Sequence, residues 1–223
     1  MSETTTLDGP RVEPLSGGPA RQLVVLLHGL GADGNDLIEL APYLGQSLPD
    51  AAFVSPHAPF ACDMAPMGRQ WFSLQSVEPE KLLEGAEAAA PILERFLRAE
   101  LEHHGLGAGQ LALVGFSQGG MMALHVGLRW AEPVAAICGF STALIGAEKL
   151  PEEIRGRPPV LLVHGDSDPV IPYQAMPAAT AALKAIDVSV TAETRPGLAH
   201  GIDQEAVDLA SGFLKRHLLA ATA

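Results

Sequence analysis

The chain contains 223 residues and carries a net charge of −12, because 26 acidic side chains outnumber 14 basic ones. This charge opposes binding to nucleic acid or to an anionic membrane surface, so neither is an expected partner. Hydrophobic residues make up 48% of the sequence, with 23 glycines and 18 prolines, a composition that is typical of one globular domain with many turns and excludes a disordered or fibrous protein.

The N-terminal segment, residues 1–21, is polar and has no features of an export signal. It lacks a basic start followed by an apolar core. No apolar run elsewhere approaches the ~20 residues that a membrane-spanning helix needs. Cys62 and Cys138 are too far apart in sequence for a closely spaced metal site or redox pair, which favours reduced thiols. We therefore expect a cytoplasmic protein with a single domain over residues 22–219.

Short apolar runs alternate with longer helical patterns from Gln22 onward, as they do where crossover helices join parallel strands. Strands are predicted at 23–27, 52–55, 111–116, 134–140, 160–164 and 188–193. Helices are predicted at 35–44, 80–103, 118–130, 173–186 and 204–219. Because the strands are almost continuously apolar, we expect both faces of the sheet to be buried. The predicted fold class is α/β, with a mostly parallel central sheet flanked by helices.

Residues 56–68 form a long connection between two of these predicted elements. The segment is rich in proline and contains Phe60, Met64 and Met67. It is too apolar for a simple solvated loop and too often broken by proline for regular structure. It forms either a wall of a pocket or a cover over the edge of the sheet, and the sequence leaves both interpretations open.

The pentapeptide Gly115-Phe116-Ser117-Gln118-Gly119 lies between a predicted strand and a predicted helix. This context is typical of a nucleophile elbow, in which the chain leaves a buried strand, turns sharply and enters a helix with the serine at the turn. Gly115 and Gly119 are expected where strand and helix pack too closely for a side chain. An ordinary glycine-containing turn is the alternative, so the interpretation depends on finding partners for Ser117.

A serine hydroxyl needs a base that accepts its proton, and His200 is the predicted base for Ser117. On this kind of fold the acid and then the histidine follow the serine, on loops after later strands. His200 lies in such a loop, before the last predicted helix and next to a glycine. In contrast, His125 and His217 fall within helices, and His164 falls at the end of a strand.

Two carboxylates, Asp166 and Asp168, follow the predicted strand that ends at residue 164. We predict that Asp168 orients the histidine, because Pro169 and Pro172 hold its loop rigidly. Asp166 is closer to the strand and is expected to accept backbone hydrogen bonds within the turn. The opposite assignment stays open.

The backbone amides of Gln118 and Leu30 are the predicted donors to an oxyanion. Gln118 directly follows the candidate nucleophile, and a second donor is expected from the loop after an early strand. Leu30 lies in such a loop, between Gly29 and Gly31. A phosphate-binding loop is the weaker alternative, because the segment has neither G-x-G-x-x-G spacing nor a lysine followed by serine or threonine.

Motifs at four places in the chain resemble, in their order, those of the phospholipase/carboxylesterase family, whose eukaryotic members include the acyl-protein thioesterases. They are LLHGLGADG at 26–34, GFSQGG at 115–120, HGDSDPVIP at 164–172 and GLAHG at 197–201. The resemblance covers residues 22–219. It implies an α/β-hydrolase fold without a large cap domain, and the hydrolysis of esters or thioesters with no metal or cofactor.

The resemblance also implies roles for single residues. It places Ser117, Asp168 and His200 in a catalytic triad, in agreement with the reasoning above, and the amides of Leu30 and Gln118 in the oxyanion hole. The segment RQWF at 69–72 is similar to a tryptophan-containing stretch of the family that borders the acyl pocket. The apolar candidates for substrate binding are Trp71, Phe72, Leu74, Met64 and Met67. Such residues suit a short or medium acyl chain, although apolar residues more often belong to the core.

Substrate and assembly stay open at this point. The expected partner is a small-molecule ester or thioester. A lysophospholipase or acyl-protein thioesterase is one alternative, although no lid or lipid-surface helix is recognisable in the sequence. A non-catalytic ligand-binding member of the fold and a peptidase or lactone hydrolase are the others. A homodimer is compatible with the sequence.

Overall fold

A computed structural model describes residues 6–220 of the chain. The strands are β1 (Arg11–Val12), β2 (Gln22–Leu27), β3 (Ala51–Val54), β4 (Phe60–Ala61), β5 (Arg69–Gln70), β6 (Leu111–Phe116), β7 (Ala136–Phe140), β8 (Val160–Gly165) and β9 (Val190–Arg195). The helices are α1 (Gly34–Leu37), α2 (Ala41–Ser47), α3 (Pro79–His104), α4 (Gln118–Arg129), α5 (Leu150–Glu153), α6 (Ala175–Lys184) and α7 (Gln204–Ala220). Two short 3-10 turns lie at Ile38–Leu40 and Ala108–Gln110.

Seven strands form the central sheet, in the order β1-β3-β2-β6-β7-β8-β9, and β4 pairs with β5 in a separate hairpin. The central sheet is parallel except for β1, which pairs with β3 in the antiparallel sense. Parallel neighbours require crossover connections, and helices supply them here. The predicted fold class, a mostly parallel sheet flanked by helices, is confirmed.

Helices cover both faces of the sheet and create two apolar layers. Alternate residues of β2 enter different layers: Val25 and Leu27 join the layer beneath α3 and α4, and Val24 and Leu26 join the layer beneath α2 and α7. All of these side chains are fully buried. The expectation that the strands are buried on both faces is therefore confirmed for β2, but β9 differs. It is the edge strand, and Ala192 in it is exposed because only β8 pairs with it.

The N-terminal segment 1–21 contributes a strand that its polar sequence does not indicate. Arg11 of β1 pairs with Val54, and its guanidinium lies 2.6 Å from the buried carboxylate of Glu100 on α3. Leu7 is also buried in the core. A strand of two residues is too short to show an alternating pattern, which explains why the sequence does not reveal it. Residues 1–5 of the segment lie outside the described residues.

The carboxyl ends of β2, β6 and β8 meet at the same edge of the parallel sheet, as the register of the paired strands requires. The loops after these strands carry Leu30, Ser117 and Asp168, and the loop after β9 carries His200. Ligand sites of open α/β sheets are found at this edge. Among the described residues, no helix is long and apolar enough to cross a membrane.

Candidate active site

Ser117 occupies the sharp turn between β6 and α4. Its backbone angles, φ 53° and ψ −120°, lie in a region that side-chain-bearing residues rarely adopt. The turn is held by a hydrogen bond of 2.9 Å from the amide of Ser117 to the carbonyl of Phe140 in β7. The hydroxyl of Ser117 caps no amide of α4, although the residue precedes that helix. The strained turn thus leaves the hydroxyl available for chemistry.

Close packing of β6, β2 and α4 explains the glycines on either side of this serine. A Cβ atom at Gly119 would overlap the carbonyl of Leu27, and one at Gly115 would overlap the backbone of Gly119. Neither position can accept a side chain unless the strand or the helix moves. The steric role predicted for these glycines is confirmed.

His200 and Asp168 are brought together from two different loops. The Nδ1 atom of His200 lies 2.7 Å from Oδ2 of Asp168, and the other oxygen, Oδ1, accepts hydrogen bonds from the amides of Val170 (2.8 Å) and Ile171 (3.0 Å). Burial alone raises the pKa of Asp168, but the hydrogen bonds from His200 and from the two amides outweigh it, so the pKa lies below its ordinary value. An ionised Asp168 keeps the proton of His200 on Nδ1 and leaves Nε2 for a second partner.

The imidazole of His200 lies beside the residue that precedes Ser117. Its ring packs against the ring of Phe116 with the centroids 4.8 Å apart. A hydrogen bond of 3.3 Å from the hydroxyl of Ser141 to the carbonyl of Gly201 joins the same loop to the end of β7. Within residues 6–220, no hydrogen bond connects the hydroxyl of Ser117 to His200.

Asp166, the alternative acid, supports the loop of His200 and does not contact its ring. Its Oδ1 accepts hydrogen bonds from the amide of Gly197 (2.7 Å) and from the hydroxyl of Ser167 (3.0 Å). The prediction that Asp166 caps its own turn is wrong, because the backbone amide that it binds belongs to the loop of His200. The ends of the same loop are joined by Arg195 and Asp203, whose charged groups lie 3.0 Å apart.

His164 is a buried residue of the site for which the sequence suggested no role. Its Nε2 donates a hydrogen bond to the carbonyl of Ile171 (3.0 Å) and lies 3.4 Å from Oδ2 of Asp168. Its ring meets the ring of Tyr173 edge to face. His164 thus holds the turn that carries Asp168. The only sequence signal for this contact is the position of a histidine four residues before the predicted acid.

The amides of Leu30 and Gln118 are both free to act as donors. Within residues 6–220, the amide of Leu30 donates to no protein acceptor, whereas that of Gly31 donates to the carbonyl of Arg69 at 2.9 Å. Gln118 is the first residue of α4, where an amide has no acceptor within the helix and the helix dipole favours negative charge. The two loops are adjacent, because a Cβ atom on Gly29 would lie 3.4 Å from Cβ of Ser117.

Trp71 and Phe72, which were expected to border an acyl pocket, lie in the core. Their exposed fractions are 0% and 2%, and both belong to the apolar layer beneath α3 and α4. The indole Nε1 of Trp71 donates a hydrogen bond of 3.0 Å to the carbonyl of His28. These side chains therefore pack beneath the site and form no wall of an open pocket. Their burial depends on what packs over a loop, which the local sequence does not reveal.

The other three pocket candidates have different surroundings. Met64 and Met67 are exposed, with 66% and 94% of their surfaces accessible, and Leu74 is half-buried against the core. The two methionines lie between β4 and β5, in a turn that packs along the loop after β2: a Cβ atom on Gly31 would lie 3.5 Å from Cβ of Ala65. Met64 and Met67 thus flank the loop of Leu30.

Neither cysteine belongs to the site. Cys62 and Cys138 are free and buried, and burial raises the pKa of the Cys138 thiol. In the described part of the chain, no group of three or more histidine, cysteine, aspartate or glutamate side chains is arranged to hold a metal ion.

The strained serine after the central strand of a parallel sheet, with a histidine and an aspartate paired nearby, defines this fold as an α/β-hydrolase. Residues 9–218 match the sequence model of the phospholipase/carboxylesterase family, and the chain belongs to that family. Among solved structures, esterase PE8 superimposes with a TM-score of 0.92 and 43% identity, over 96% of this chain and 100% of that one.

Two curated relatives extend the comparison. Esterase YpfH of Escherichia coli (strain K12) is 31% identical over 201 residues, which are 88% of this chain and 83% of the relative. Acyl-protein thioesterase 1 of Gibberella zeae is 27% identical over 228 residues, which are 93% of this chain and 97% of the relative. The protein is thus a hydrolase of a family that includes esterases and thioesterases.

Proposed function

We propose that this protein hydrolyses carboxylic esters of small or medium acyl chains, with thioesters as a second substrate class, through an acyl-enzyme formed on Ser117. The observation that carries the proposal is the 2.7 Å hydrogen bond between His200 and Asp168, on loops adjacent to the strained Ser117. A serine with free hydroxyl, an oriented imidazole and two free amides are together the parts that acyl transfer needs.

In the first half of the reaction, Nε2 of His200 accepts the proton of Ser117 as Oγ bonds to the acyl carbon. Asp168 holds the imidazole in the reactive tautomer and stabilises the imidazolium that forms. The electron pair of the carbonyl bond moves to the oxygen, and the amides of Leu30 and Gln118 donate hydrogen bonds to that oxyanion. When the intermediate collapses, the bond to the alcohol or thiol breaks and His200 protonates this leaving group.

The second half of the reaction repeats these steps with water. His200 accepts a proton from water, whose oxygen bonds to the acyl carbon of the ester on Ser117. The same two amides hold the second oxyanion. The bond to Oγ of Ser117 then breaks, His200 returns the proton to Oγ, and the carboxylic acid leaves. Neither half requires a group other than these five residues and water.

The surroundings of Ser117 support a substrate with a small or medium acyl chain. Trp71 and Phe72 fill the space beneath the loops with packed side chains. A second candidate is the release of a long acyl chain from a lysophospholipid or a lipidated protein. The large exposed surface of Met67 beside the site and the relative named acyl-protein thioesterase 1 favour it.

The assignment of Ser117 can be tested by covalent labelling. A fluorophosphonate probe is expected to modify Ser117 in the intact protein, as located by mass spectrometry, and to leave the Ser117→Ala variant unlabelled. Turnover of p-nitrophenyl acetate or butyrate should disappear in the same variant. Label on another residue would contradict the proposal, and an unreactive wild-type protein would favour a non-catalytic ligand-binding role.

The substrate class can be tested with paired esters and thioesters of increasing chain length. A maximum of kcat/KM at short or medium chains is expected, with esters at least as good as thioesters. A continuous rise towards long chains would favour the second candidate. Cleavage of a peptide or lactone in preference to both series would overturn the substrate class while leaving the triad in place.

Location and assembly are two separate proposals. We expect a cytoplasmic protein, which the free and buried state of Cys62 and Cys138 supports. A homodimer stays a prediction, and the mass of the purified protein in solution tests it.

A further inference from the structure

Trp71 contacts both of the loops that carry the candidate oxyanion donors. Besides the indole bond to the carbonyl of His28, its backbone N–H donates to Oε1 of the Gln118 side chain at 2.9 Å. The same side chain donates through Nε2 to the carbonyl of Phe72 at 2.8 Å. Gln118 and Trp71 are both fully buried. One residue of the segment after β5 therefore joins the loop after β2 to the first turn of α4.

On the side of β2, these contacts hold the peptide groups that lead to the Leu30 amide. The carbonyl of Gly29 and the amide of Leu30 belong to the same planar peptide group, so a bond to the carbonyl also orients the N–H. The Nδ1–H of His28 donates to this carbonyl at 2.8 Å, and its Nε2 accepts from the amide of Ala58 at 3.0 Å. Burial lowers the pKa of His28, which favours the neutral ring that this pattern requires. The indole of Trp71 holds the preceding peptide group.

On the side of α4, the side chain of Gln118 restrains the residue whose own backbone amide is the second donor. Its two hydrogen bonds to the segment of Trp71 and Phe72 form between fully buried groups. A buried polar group that loses its partner destabilises the protein, so alternative positions of this side chain are disfavoured. The position of the Gln118 backbone is thereby tied to that of Trp71.

We propose that Trp71 is a positioning residue of the oxyanion hole, which sets the separation of the Leu30 and Gln118 amides. This inference rests on the proposed function. An oxyanion donor acts only at about 2.7–3.1 Å from the position that the charged oxygen will occupy. A small shift between the two loops therefore reduces the stabilisation of the transition state more than the stability of the substrate complex. Trp71 acts through the two amides and does not touch the substrate.

The test replaces Trp71 while retaining an aromatic ring. Trp71→Phe removes the indole N–H and is expected to lower kcat on p-nitrophenyl butyrate by about 10- to 100-fold with little change in KM, which is less than the loss of about 10²–10³ for deleting one donor. The inhibition constant of an alkyl trifluoromethyl ketone should rise by a similar factor. Ser117 adds to this ketone to form a hemiketal whose oxygen occupies the oxyanion position. Binding of the alkyl alcohol of equal length should not change.

Trp130→Phe is the matched control, because the chain has only one other tryptophan and it is also buried. Trp130 follows α4, and Arg98 stacks on its ring. Both variants lose the same atoms, and only Trp71→Phe should weaken ketone binding. If Trp71→Phe lowers thermal stability as Trp130→Phe does but leaves kcat and the ketone constant unchanged, Trp71 is a packing residue and the inference is wrong.

Two further variants decide the question if Trp71→Phe does not fold. Gln118→Met removes both side-chain bonds to the segment of Trp71 but keeps the backbone amide, and a benzothienylalanine at position 71 replaces the indole N–H with sulfur at similar shape. Both should weaken ketone binding, and unchanged inhibition constants in both would overturn the inference.

The outcome is separable from the proposed function. Activity that survives in Ser117→Ala rejects the proposed function. Loss of activity in Ser117→Ala, together with normal activity and ketone binding in the position-71 variants, rejects only the role of Trp71.

Discussion

The Nδ1 atom of His200 lies 2.7 Å from a carboxylate oxygen of Asp168 whose side chain has no exposed surface. The two residues are 32 positions apart in the chain, on the loops after β8 and β9. Because these strands are parallel neighbours, their following loops emerge at the same edge of the sheet. The pair is thus a product of strand order.

Asp168→Asn should abolish most of the activity, whereas Asp166→Asn should not. An asparagine at 168 favours the wrong tautomer of His200, and we expect kcat to fall by about 10³–10⁴. The side chain of Asp166 accepts hydrogen bonds from the Gly197 amide of the His200 loop and from the hydroxyl of Ser167, so its replacement should lower kcat by less than about 10-fold. Steady-state kinetics on p-nitrophenyl butyrate compare the two. Equal losses, or a larger loss in Asp166→Asn, would contradict the assignment of the acid.

The stabilising effect of Asp168 should disappear in acid. Its folded-state pKa lies below the ordinary value of 3.8, so the ionised carboxylate stabilises the fold at pH values above 3.8 and this contribution is lost as the pH falls through the folded pKa. The difference in unfolding free energy between wild type and Asp168→Asn should therefore become smaller as the pH falls below about 4. Urea titrations measure it. A difference that grows in acid would contradict the lowered pKa.

Thr142→Val should loosen the turn of Ser117. The buried hydroxyl of Thr142 donates to the carbonyl of Ser117 at 2.8 Å, and this carbonyl shares its peptide group with the candidate donor amide of Gln118. We expect a loss of about 1–3 kcal/mol in unfolding free energy and a lower kcat with KM nearly unchanged. Thr180→Val is the control, since its hydroxyl bonds the carbonyl of Met176 at the same distance in α6. Equal effects on kcat would refute a specific role for Thr142.

Gly119→Ala should disrupt the packing of α4 against β2. The added methyl group would overlap the carbonyl of Leu27, so we expect destabilisation by at least about 3 kcal/mol and loss of activity. Gly212→Ala is the matched control in α7, where an added Cβ meets no atom within 4 Å. There alanine should stabilise the protein by about 0.5–1 kcal/mol. Thermal melts compare the variants, and a stable, active Gly119→Ala protein would contradict the close approach.

Prediction from sequence succeeded where the signal is local. β6 and α4 lie where the apolar run and the helical pattern place them, because burial on both faces and helical periodicity are properties of a short window. It failed for β1, β4 and β5, which have two residues each and show no period. The predicted helix at 35–44 is divided into α1, a 3-10 turn and α2, and Pro42 lies near the start of α2.

The sequence by itself determined the α/β class, the family and the position of Ser117 between a strand and a helix. The class and the position of Ser117 follow from apolar patterning and from glycines whose steric role acts over a few residues, whereas the family follows from the resemblance of four short motifs to those of known members. Only the tertiary structure decided that Asp168 meets His200 while Asp166 holds the backbone of Gly197, because the two carboxylates differ by two positions in one loop. Only the tertiary structure placed Trp71 beneath the site, since burial in an irregular segment depends on chain that is distant in sequence.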